Sequence, residues 1–288
     1  MGDAFVNEWG DVRLGVDAFD LSGKKALVIG VEEAQGRAIA LALAEAGAGV
    51  TACSAASEGE AMFAATKVRG EIAKLGRQSW ASGTDVTLGT GVQVMVRQAA
   101  KEMGGIDILV NAADAYIGKP AAETTDLEFN RIVQVCLAGT FHACRAAGKE
   151  MLKQADTSPR PSPTGEGDSD RRTGRIINVS SVLGERGLAN SAAYCAAQAG
   201  VLNLTRALSQ EWAAAGITVN AIAQGWMEGT PAVSGKDEES GRAVRFTPMK
   251  RAGRADELGP LAVWLASDAA GYVTGQVLFV DGGLTTHL

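Results

Sequence analysis

The sequence has little of several residues on which whole classes of protein depend. Only two histidines, His142 and His287, and four cysteines occur in 288 residues, and no two cysteines form a CxxC pair. A zinc site is therefore not expected. No stretch approaches the roughly twenty apolar residues of a membrane span, and Met1–Asp20 lacks the basic start and apolar run of a signal peptide. We expect a cytoplasmic protein without a metal or a membrane partner.

An excess of positive charge is also missing. Lys and Arg total 27 against 33 Asp and Glu, which gives a formal net charge of −6. This balance does not favour nucleic acid or another polyanion as a partner. The chain does have 46% hydrophobic residues, over a length that can bury one large core. We therefore expect a single globular domain.

Short apolar runs alternate with helical stretches along most of the chain. The first run, Lys25–Ile29, precedes Gly30, and apolar residues then recur at helical spacing over Arg37–Ala46. This pattern predicts a strand, a glycine turn and a helix. Further strands are predicted at Gly49–Cys53, Gln78–Ala81, Asp107–Val110, Arg175–Val179, Ile217–Ile222 and Val277–Val280. Such alternation predicts an α/β fold, with a mainly parallel sheet covered by helices on both faces.

Three segments lie outside this pattern. Residues 1–18 form an N-terminal extension to a domain expected over 19–288. Residues 156–173 contain three of the seven prolines and no core-forming apolar residue, which favours a flexible surface insertion over a proline-rich ligand for a partner. Residues 225–247 follow the sixth strand. Because loops at the carboxyl ends of strands line the ligand crevice of such sheets, this segment is predicted to cover a substrate.

A phosphate-binding turn is predicted between the first strand and the first helix. Gly30 and Gly36 lie at the start of that helix, where free amides and the helix dipole attract anions. Glycine spacing alone is weak evidence, and four later motifs are more specific. They are Asn178-Val-Ser-Ser181 after the fifth strand, Tyr194 thirteen residues beyond Ser181, Val219-Asn-Ala-Ile222, and the ending Val273 to Gly283 with its Val-Asp-Gly-Gly.

In this order and spacing, the motifs resemble the short-chain dehydrogenase/reductase family from about Phe19 to Gly283. The chain is most similar to the bacterial branch with 3-oxoacyl-acyl-carrier-protein reductases and sugar or polyol dehydrogenases, as a divergent member. The resemblance implies a Rossmann-type, doubly wound sheet of seven parallel strands, a nicotinamide dinucleotide at the switch point, and a homo-oligomer, either tetramer or dimer. A different Rossmann enzyme, such as a methyltransferase, is disfavoured by the Ser181 and Tyr194 spacing.

The resemblance also implies which residues are catalytic. In the family, a tyrosine passes a proton to or from a carbonyl oxygen that a serine polarises, and these positions hold Tyr194 and Ser181. The family lysine, four residues after the tyrosine, is replaced by Gln198, and the family asparagine by Cys136. Because no histidine is placed to activate Cys136, a buried small side chain is favoured there over a nucleophile.

Loss of the lysine changes the acidity expected of Tyr194. A cation about 4 Å from a phenol is worth on the order of 4 kcal/mol at an effective dielectric constant near 20. Without that cation, the pKa of Tyr194 is expected near or above the reference value of about 10. The Gln198 amide can still hydrogen-bond a ribose hydroxyl, but it cannot lower the pKa of the phenol.

Several positions that would contact a dinucleotide are also altered. Ala34 replaces the second glycine of the turn, and Glu32 and Glu33 add negative charge beside the expected pyrophosphate. At the end of the second strand, Ser54 replaces the aspartate that would bind the adenosine ribose. NAD(H) is slightly favoured over NADP(H), because Glu33 would repel the additional phosphate.

Other cofactor positions match the family in part. Asp85 and Val86 match its adenine-edge contact, although a turn role for Asp85 is an equally good interpretation. The family sequence Asn-Asn-Ala-Gly is Asn111-Ala112-Ala113-Asp114 here, and Pro-Gly after the sixth strand is Gln224-Gly225.

Two hypotheses follow for function. The first is an NAD(P)-dependent oxidoreductase that acts on a carbonyl or secondary alcohol with a degenerate active site. The second is a catalytically silent relative that acts as a binding or assembly protein, which the number of altered positions favours. The apolar residues in and beside the covering segment predict a partly apolar substrate site, although core packing is as common for such residues. They are Trp226, Met227, Phe246 and Met249.

Overall fold

The computed structural model describes residues 15–156, 174–229 and 244–286. Most of the predicted N-terminal extension, nearly all of the predicted insertion at 156–173 and most of the covering segment at 225–247 lie outside these residues. Within the described ranges, no helix is long and apolar enough to cross a membrane. The same ranges contain no group of three or more His, Cys, Asp or Glu side chains that could hold a metal ion.

Seven strands in the described residues form one parallel sheet. They are β1 (Lys25–Ile29), β2 (Gly49–Ser54), β3 (Ser79–Gly83), β4 (Ile108–Asn111), β5 (Arg175–Ser181), β6 (Thr218–Gln224) and β7 (Val277–Val280). Their order across the sheet is β3-β2-β1-β4-β5-β6-β7, and every neighbouring pair is parallel. The predicted Rossmann-type, doubly wound sheet is therefore confirmed, with strand boundaries within two residues of those expected.

Helices connect the strands. They are α1 (Ala34–Glu45), α2 (Gly59–Lys74), α3 (Gly89–Met103), α4 (Asp126–Ile132), α5 (Gly139–Asp156), α6 (Ala192–Trp212) and α7 (Gly259–Ala266). A π-helix, Val133–Ala138, joins α4 to α5, and 3₁₀ turns occupy Gly15–Phe19, Ala121–Glu123, Val182–Gly184, Ala213–Ala215, Ala255–Leu258, Asp268–Ala270 and Leu284–Thr286. The first turn of α4 is fixed by a capping box between Thr125 and Glu128.

Alternate side chains of each central strand enter two different cores. On β1, Val28 packs with α1, α2 and α7, whereas Leu27 and Ile29 pack with α3, α5 and α6. All three side chains are fully or almost fully buried. A strand that is apolar at every position requires helices on both faces, and the run Lys25–Ile29 meets that condition.

The parallel arrangement places three chain segments at one edge of the sheet. Residues that follow β1, β4 and the end of β5 all lie at carboxyl ends of adjacent strands, because Ile29 pairs with Asn111 and Asn111 pairs with Asn178. The strand order reverses beside β1, which has β2 on one side and β4 on the other. Crevices at such a switch point are where open α/β sheets bind ligands.

Candidate active site

The turn after β1 is held by close backbone packing. Gly30 has a φ of +91°, and a Cβ at this position would overlap the backbone of Ala112 and Ala113. A Cβ on Gly36 would overlap the carbonyl oxygen of Gly30. Ala34, in contrast, is exposed at the first position of α1. Gly30 and Gly36 are therefore required by the fold itself, whereas position 34 tolerates a methyl group.

The first turn of α1 is open to an anion. Glu33 stands at the N-cap of this twelve-residue helix, and its side chain makes no capping hydrogen bond. Free amides at a helix N-terminus attract negative charge. Burial, and then the charges of Asp114 and Glu32, raise the pKa of Glu33 to about 7. The electrostatic obstacle to a phosphate at this position is therefore weaker when Glu33 is protonated.

A carboxyl group does lie at the end of β2, but it comes from the glycine turn. Oε1 of Glu32 accepts a hydrogen bond from the Ala55 amide at 2.8 Å, and Oε2 is buried without a partner among the described residues. Ser54 is buried, and its hydroxyl donates to the Ala56 carbonyl at 2.6 Å. Burial raises the pKa of Glu32. The carboxyl group at the end of β2 is thus that of Glu32, which sequence reasoning considered only as a repulsive charge.

The predicted adenine contacts lie after β3. Asp85 is exposed, and its Oδ1 accepts hydrogen bonds from the amide and hydroxyl of Thr87 at 2.9 and 2.6 Å, which is a turn arrangement. Val86 is buried, and its carbonyl oxygen lies 3.1 Å from Nδ1 of His142. Both residues therefore have local structural roles, and these do not prevent contact with an adenine.

Three other predicted cofactor residues stabilise the crevice from beneath. The Asn111 amide donates to Oδ1 of Asn178 at 2.9 Å and so ties β4 to β5. Ala112 is buried under the glycine turn, where a Cβ on Gly36 would also meet its methyl group. At Gly225, a Cβ would stand 2.7 Å from the Cα atom of Asp281. These residues shape the crevice through packing and internal hydrogen bonds.

Tyr194 and Ser181 lie together, as the family motif predicts. Tyr194 is on the first turn of α6 and only 6% exposed, and Ser181 ends β5. The Ser181 hydroxyl accepts a hydrogen bond from the Leu183 amide at 3.2 Å and also interacts with the phenol. The ring of Tyr116 packs edge-on against Tyr194, with centroids 5.2 Å apart. The two side chains predicted to act on a carbonyl oxygen therefore lie side by side, at the end of β5 and the start of α6.

Asp114 connects Tyr194 to the two residues that replace the family lysine and asparagine. Its Oδ2 accepts a hydrogen bond from the Tyr194 hydroxyl at 2.9 Å. Its Oδ1 accepts hydrogen bonds from the side-chain amide of Gln198 at 3.3 Å and from the thiol of Cys136 at 3.5 Å. The side-chain oxygen of Gln198, Oε1, accepts a hydrogen bond from the Ser180 hydroxyl at 2.8 Å. Both ends of the Gln198 side-chain amide therefore have a protein partner, while one N–H and one oxygen lone pair are left for the ribose contact predicted for it.

Sequence reasoning recorded Asp114 only as a lost glycine. Its side-chain direction depends on how the loop after β4 packs against α6, eighty residues later in the chain. The sequence signal that pointed to this part of the site was the replacement of three family residues by a carboxylate, a glutamine and a cysteine.

The carboxyl group of Asp114 determines the acidity of its neighbours. Burial raises the pKa of Asp114, against the effect of hydrogen bonds from Tyr194 and Cys136. Burial, followed by the charge of Asp114, raises the pKa of Tyr194 well above its usual value, although the interaction with Ser181 opposes this. The high phenol pKa expected from the loss of lysine therefore has two further causes.

Cys136 lies in the π-helix Val133–Ala138 and is buried. Its backbone carbonyl oxygen accepts a hydrogen bond from the Thr140 hydroxyl at 2.6 Å. Its thiol faces Asp114 and the backbone carbonyl oxygen of Ala115. Burial and the charge of Asp114 raise the pKa of this thiol. A thiol that resists ionisation is a poor nucleophile, which supports the interpretation of Cys136 as a small buried side chain.

One side of Tyr194 is apolar. Val182, Leu183 and Leu284 pack around it, with Tyr116 and Trp226 partly buried against them. A separate cavity of about 440 Å³ at the carboxyl ends of β6 and β7 is lined by residues that include Trp226, Met249, Arg251, Phe279 and Asp281, but neither Ser181 nor Tyr194 lines it. Met227 is buried, whereas Phe246 and Met249 are largely exposed. Of the four apolar residues predicted for a substrate site, Trp226 is the one that packs with the Tyr194 cluster.

Comparison with known proteins identifies the family. The sequence profile described as enoyl-(acyl carrier protein) reductase matches residues 30–285. A 2-dehydro-3-deoxy-D-gluconate 5-dehydrogenase of Pseudoalteromonas atlantica is 35% identical over 270 residues, which are 93% of this chain and 98% of the relative.

Two solved structures are similar throughout. A short-chain type dehydrogenase/reductase from Mycobacterium marinum is 33% identical with a TM-score of 0.82, and the match covers 94% of this chain and 99% of the other. A gluconate 5-dehydrogenase from Burkholderia cenocepacia in complex with NADP and tartrate is 30% identical with a TM-score of 0.83. That match also covers 94% of this chain and 99% of the other. These matches cover the glycine turn, the Ser181 and Tyr194 pair and the closing strand together. The chain therefore belongs to the short-chain dehydrogenase/reductase family of oxidoreductases.

Proposed function

We propose that this protein is an NAD(P)-dependent oxidoreductase that interconverts a carbonyl group and a secondary alcohol. The observation that carries the proposal is the buried pair of Tyr194 and Ser181 at the carboxyl end of β5, beside the switch point of the sheet. A serine hydroxyl and a phenol that converge in this way are suited to binding and protonating one substrate oxygen.

Each retained element has a role in this proposal. A nicotinamide dinucleotide bound in the crevice would supply or accept the hydride. The open N-terminus of α1 would hold the pyrophosphate of the dinucleotide, and Glu32 would accept a hydrogen bond from a hydroxyl of the adenosine ribose. Ser181 polarises the substrate oxygen, and Tyr194 gives or takes the proton. Reduction is the easier direction, because a phenol with a raised pKa keeps its proton at neutral pH.

NAD(H) is the proposed cofactor in preference to NADP(H). A ribose with free hydroxyls can donate to the Glu32 carboxylate, whereas a phosphate on the 2′-oxygen would be repelled by Glu32 and by ionised Glu33. The Burkholderia cenocepacia relative was solved in complex with NADP. The proposed preference therefore depends on the carboxyl groups of this chain and is tested directly below.

The apolar wall beside Tyr194 supports a small carbonyl or alcohol substrate that is partly apolar. Exposed aromatic side chains, Phe129 on α4 and Phe141 on α5, support the expected homo-oligomer. Sedimentation velocity would separate monomer, dimer and tetramer. The four cysteines are free thiols, and three of them are buried, which supports the expected reducing cytoplasmic location.

The experiment is a calorimetric titration of the purified protein with NADH and NADPH, followed by turnover assays with ketones and secondary alcohols. We expect saturable binding of NADH and turnover that Tyr194→Phe reduces by at least about a hundredfold, within the usual range for loss of an acid–base group. Saturable binding without turnover of any substrate would contradict an oxidoreductase.

A second candidate is a catalytically silent relative that acts as a binding or assembly protein. One observation favours it, because the single hydroxyl proton of Tyr194 and one of the two amide hydrogens of Gln198 are already donated to Asp114. Absence of dinucleotide binding up to millimolar concentration would favour this candidate over the oxidoreductase.

A further inference from the structure

Asp114 and Tyr194 are held together by several elements that are distant in the chain. The carboxyl group follows β4, the phenol is on α6, and their oxygen atoms are 2.9 Å apart. Gln198 from α6 and Cys136 from the π-helix fix the second carboxyl oxygen. The pair is shielded from water on one side by Tyr116. A proton can move between two oxygens at this distance without any displacement of either side chain.

We propose that Asp114 is the proton store of Tyr194: its carboxyl group gives a proton to the phenol during carbonyl reduction and takes one from the phenol during alcohol oxidation. The catalytic use of the pair depends on the proposed oxidoreductase function. The exchange of a proton between the two residues does not, so it can be measured without turnover.

The proton balance is complete in both directions. In reduction, the bond from Tyr194 oxygen to hydrogen breaks as the substrate oxygen gains that proton, and the protonated carboxyl of Asp114 returns a proton to the phenol oxygen. The hydride completes the alcohol, and Asp114 remains as a carboxylate that takes a proton from water. In oxidation, the alcohol proton passes to the phenol oxygen while the phenol proton passes to the Asp114 carboxylate. The hydrogen on the alcohol carbon would leave as hydride to the oxidised dinucleotide, and protonated Asp114 then gives its proton to water.

This arrangement makes a free phenolate unnecessary. In relatives with a lysine, a positive charge favours the ionised phenol, whereas Tyr194 here faces a carboxyl group that opposes ionisation. A carboxylate in contact with the phenol can nevertheless accept its proton at the moment when the phenol receives another. The base that oxidation requires is then Asp114, and phenolate need not accumulate.

The surroundings of the pair favour the protonated form of the Asp114 carboxyl group. Glu33 faces Asp114 from the glycine turn, Cys136 faces it from the π-helix, and Tyr194 faces it from α6. Its described contacts include no lysine or arginine. Burial opposes ionisation of the Asp114 carboxyl group, and the hydrogen bonds donated by Tyr194, Cys136 and the Ala115 amide limit this effect. Asp114 and Glu33 also repel each other when both are ionised.

The first test is the pH dependence of kcat in both directions. We expect reduction to decline and oxidation to rise through one common midpoint, which lies below the phenol reference pKa of about 10. In Asp114→Asn, oxidation should fall at least tenfold at pH 7 and its midpoint should move above about pH 10, because only phenolate can then act as the base. KM should change less than kcat. Asp126→Asn, at an exposed position of α4, is the matched control and should leave both profiles unchanged.

The second test is an infrared pH titration of the protein without substrate. The carbonyl stretch of protonated Asp114 is identified as the band that Asp114→Asn removes and Asp126→Asn retains. Tyr194→Phe removes a hydrogen bond to the carboxylate, so the midpoint of this band should move to higher pH. A midpoint at the ordinary aspartate value of about 4 that Tyr194→Phe leaves unchanged would overturn the proton exchange.

The two tests separate the proposals. Turnover with an oxidation midpoint above about pH 10 that is the same in wild type and Asp114→Asn overturns the proton store and leaves the oxidoreductase intact. A coupled infrared titration without turnover at any pH supports the carboxyl–phenol exchange and overturns the oxidoreductase.

Discussion

Nε2 of Gln198 lies 3.3 Å from Oδ1 of Asp114. Two of the departures from the family pattern therefore contact each other: a neutral donor replaces the family lysine, and a carboxylate has appeared beside it. A third replacement, Cys136, contacts the same oxygen. The altered residues form one hydrogen-bonded unit with Tyr194, so substitutions at these positions are expected to be non-additive.

A lysine at position 198 should raise alcohol oxidation most when the Asp114 carboxyl group is also removed. In Gln198→Lys alone, the new ammonium group would pair with Asp114, which offsets its effect on the phenol. We expect Gln198→Lys with Asp114→Gly to raise alcohol oxidation at pH 7 at least tenfold, and the single substitution to raise it less. Steady-state rates with saturating dinucleotide measure this difference. Equal rates for the two variants would show that Asp114 does not screen position 198.

Glu32 should determine the choice between NAD and NADP. Glu32→Ser removes the charge at the end of β2, so NADPH affinity should rise about tenfold or more while NADH affinity falls. Glu33→Gln is the comparison variant: it also removes a repulsive charge but leaves the Glu32 contact to the Ala55 amide intact, so NADH affinity should not fall. Calorimetric Kd values for both cofactors test this. An unchanged ratio of Kd values in Glu32→Ser would exclude Glu32 as the ribose contact.

Dinucleotide binding should weaken as pH rises through neutrality. The pKa of Glu33 is about 7, so this residue becomes negatively charged between about pH 6 and 8, beside the expected pyrophosphate. We expect Kd for NADH to increase over this interval and the increase to disappear in Glu33→Gln. Titrations at pH 6, 7 and 8 and constant ionic strength provide the measurement.

The same shift predicts an effect on stability that needs no ligand. Folding raises the pKa of Glu33 from an ordinary 4.5 to about 7, so the folded state favours the protonated form. The stabilisation of the folded state by protonated Glu33 is present in full below pH 4.5. It is lost as pH rises to about 7, and it stays lost above that. Glu33→Gln should therefore raise the melting temperature more at pH 8 than at pH 5. A pH-independent difference would contradict the raised pKa.

Positions 34 and 36 of the glycine turn should differ in their tolerance of a methyl group. Gly36→Ala would place a Cβ against the carbonyl oxygen of Gly30, and overpacking of this kind costs about 1–3 kcal/mol of unfolding free energy. Ala34→Gly, at an exposed helix start, should cost no more than about 1 kcal/mol. Urea denaturation midpoints compare the two. A stability loss in Ala34→Gly as large as that in Gly36→Ala would show that the methyl of Ala34 contributes to packing.

Much of the architecture could be predicted because it depends on local pattern. The apolar run Lys25–Ile29 requires helices on both faces, and the helical spacing that follows it predicts α1. These features are determined by residues that are close in sequence, so their periodicity is sufficient. The Ser181 and Tyr194 pair, in contrast, was predicted from the resemblance to a family motif.

The contacts of the site were harder to predict because they join loops to distant elements. Glu32 reaches the Ala55 amide and Asp114 reaches α6, and no periodicity determines the direction of a loop side chain. Ser54 matched the family position in sequence, but its side chain lies buried beneath the crevice. Sequence position therefore identified the edge of the sheet and left open which side chains meet there.

The bond between Asp114 and Tyr194 also joins the two halves of the polypeptide. Asp114 lies before α5, which ends at Asp156, and Tyr194 lies after β5, which begins at Arg175. A chain break between these two elements would leave a fragment with β1–β4 and a fragment with β5–β7, related through the pairing of β4 with β5. Each fragment would carry only one partner of the acid pair, so formation of the pair would report reassembly of the two fragments.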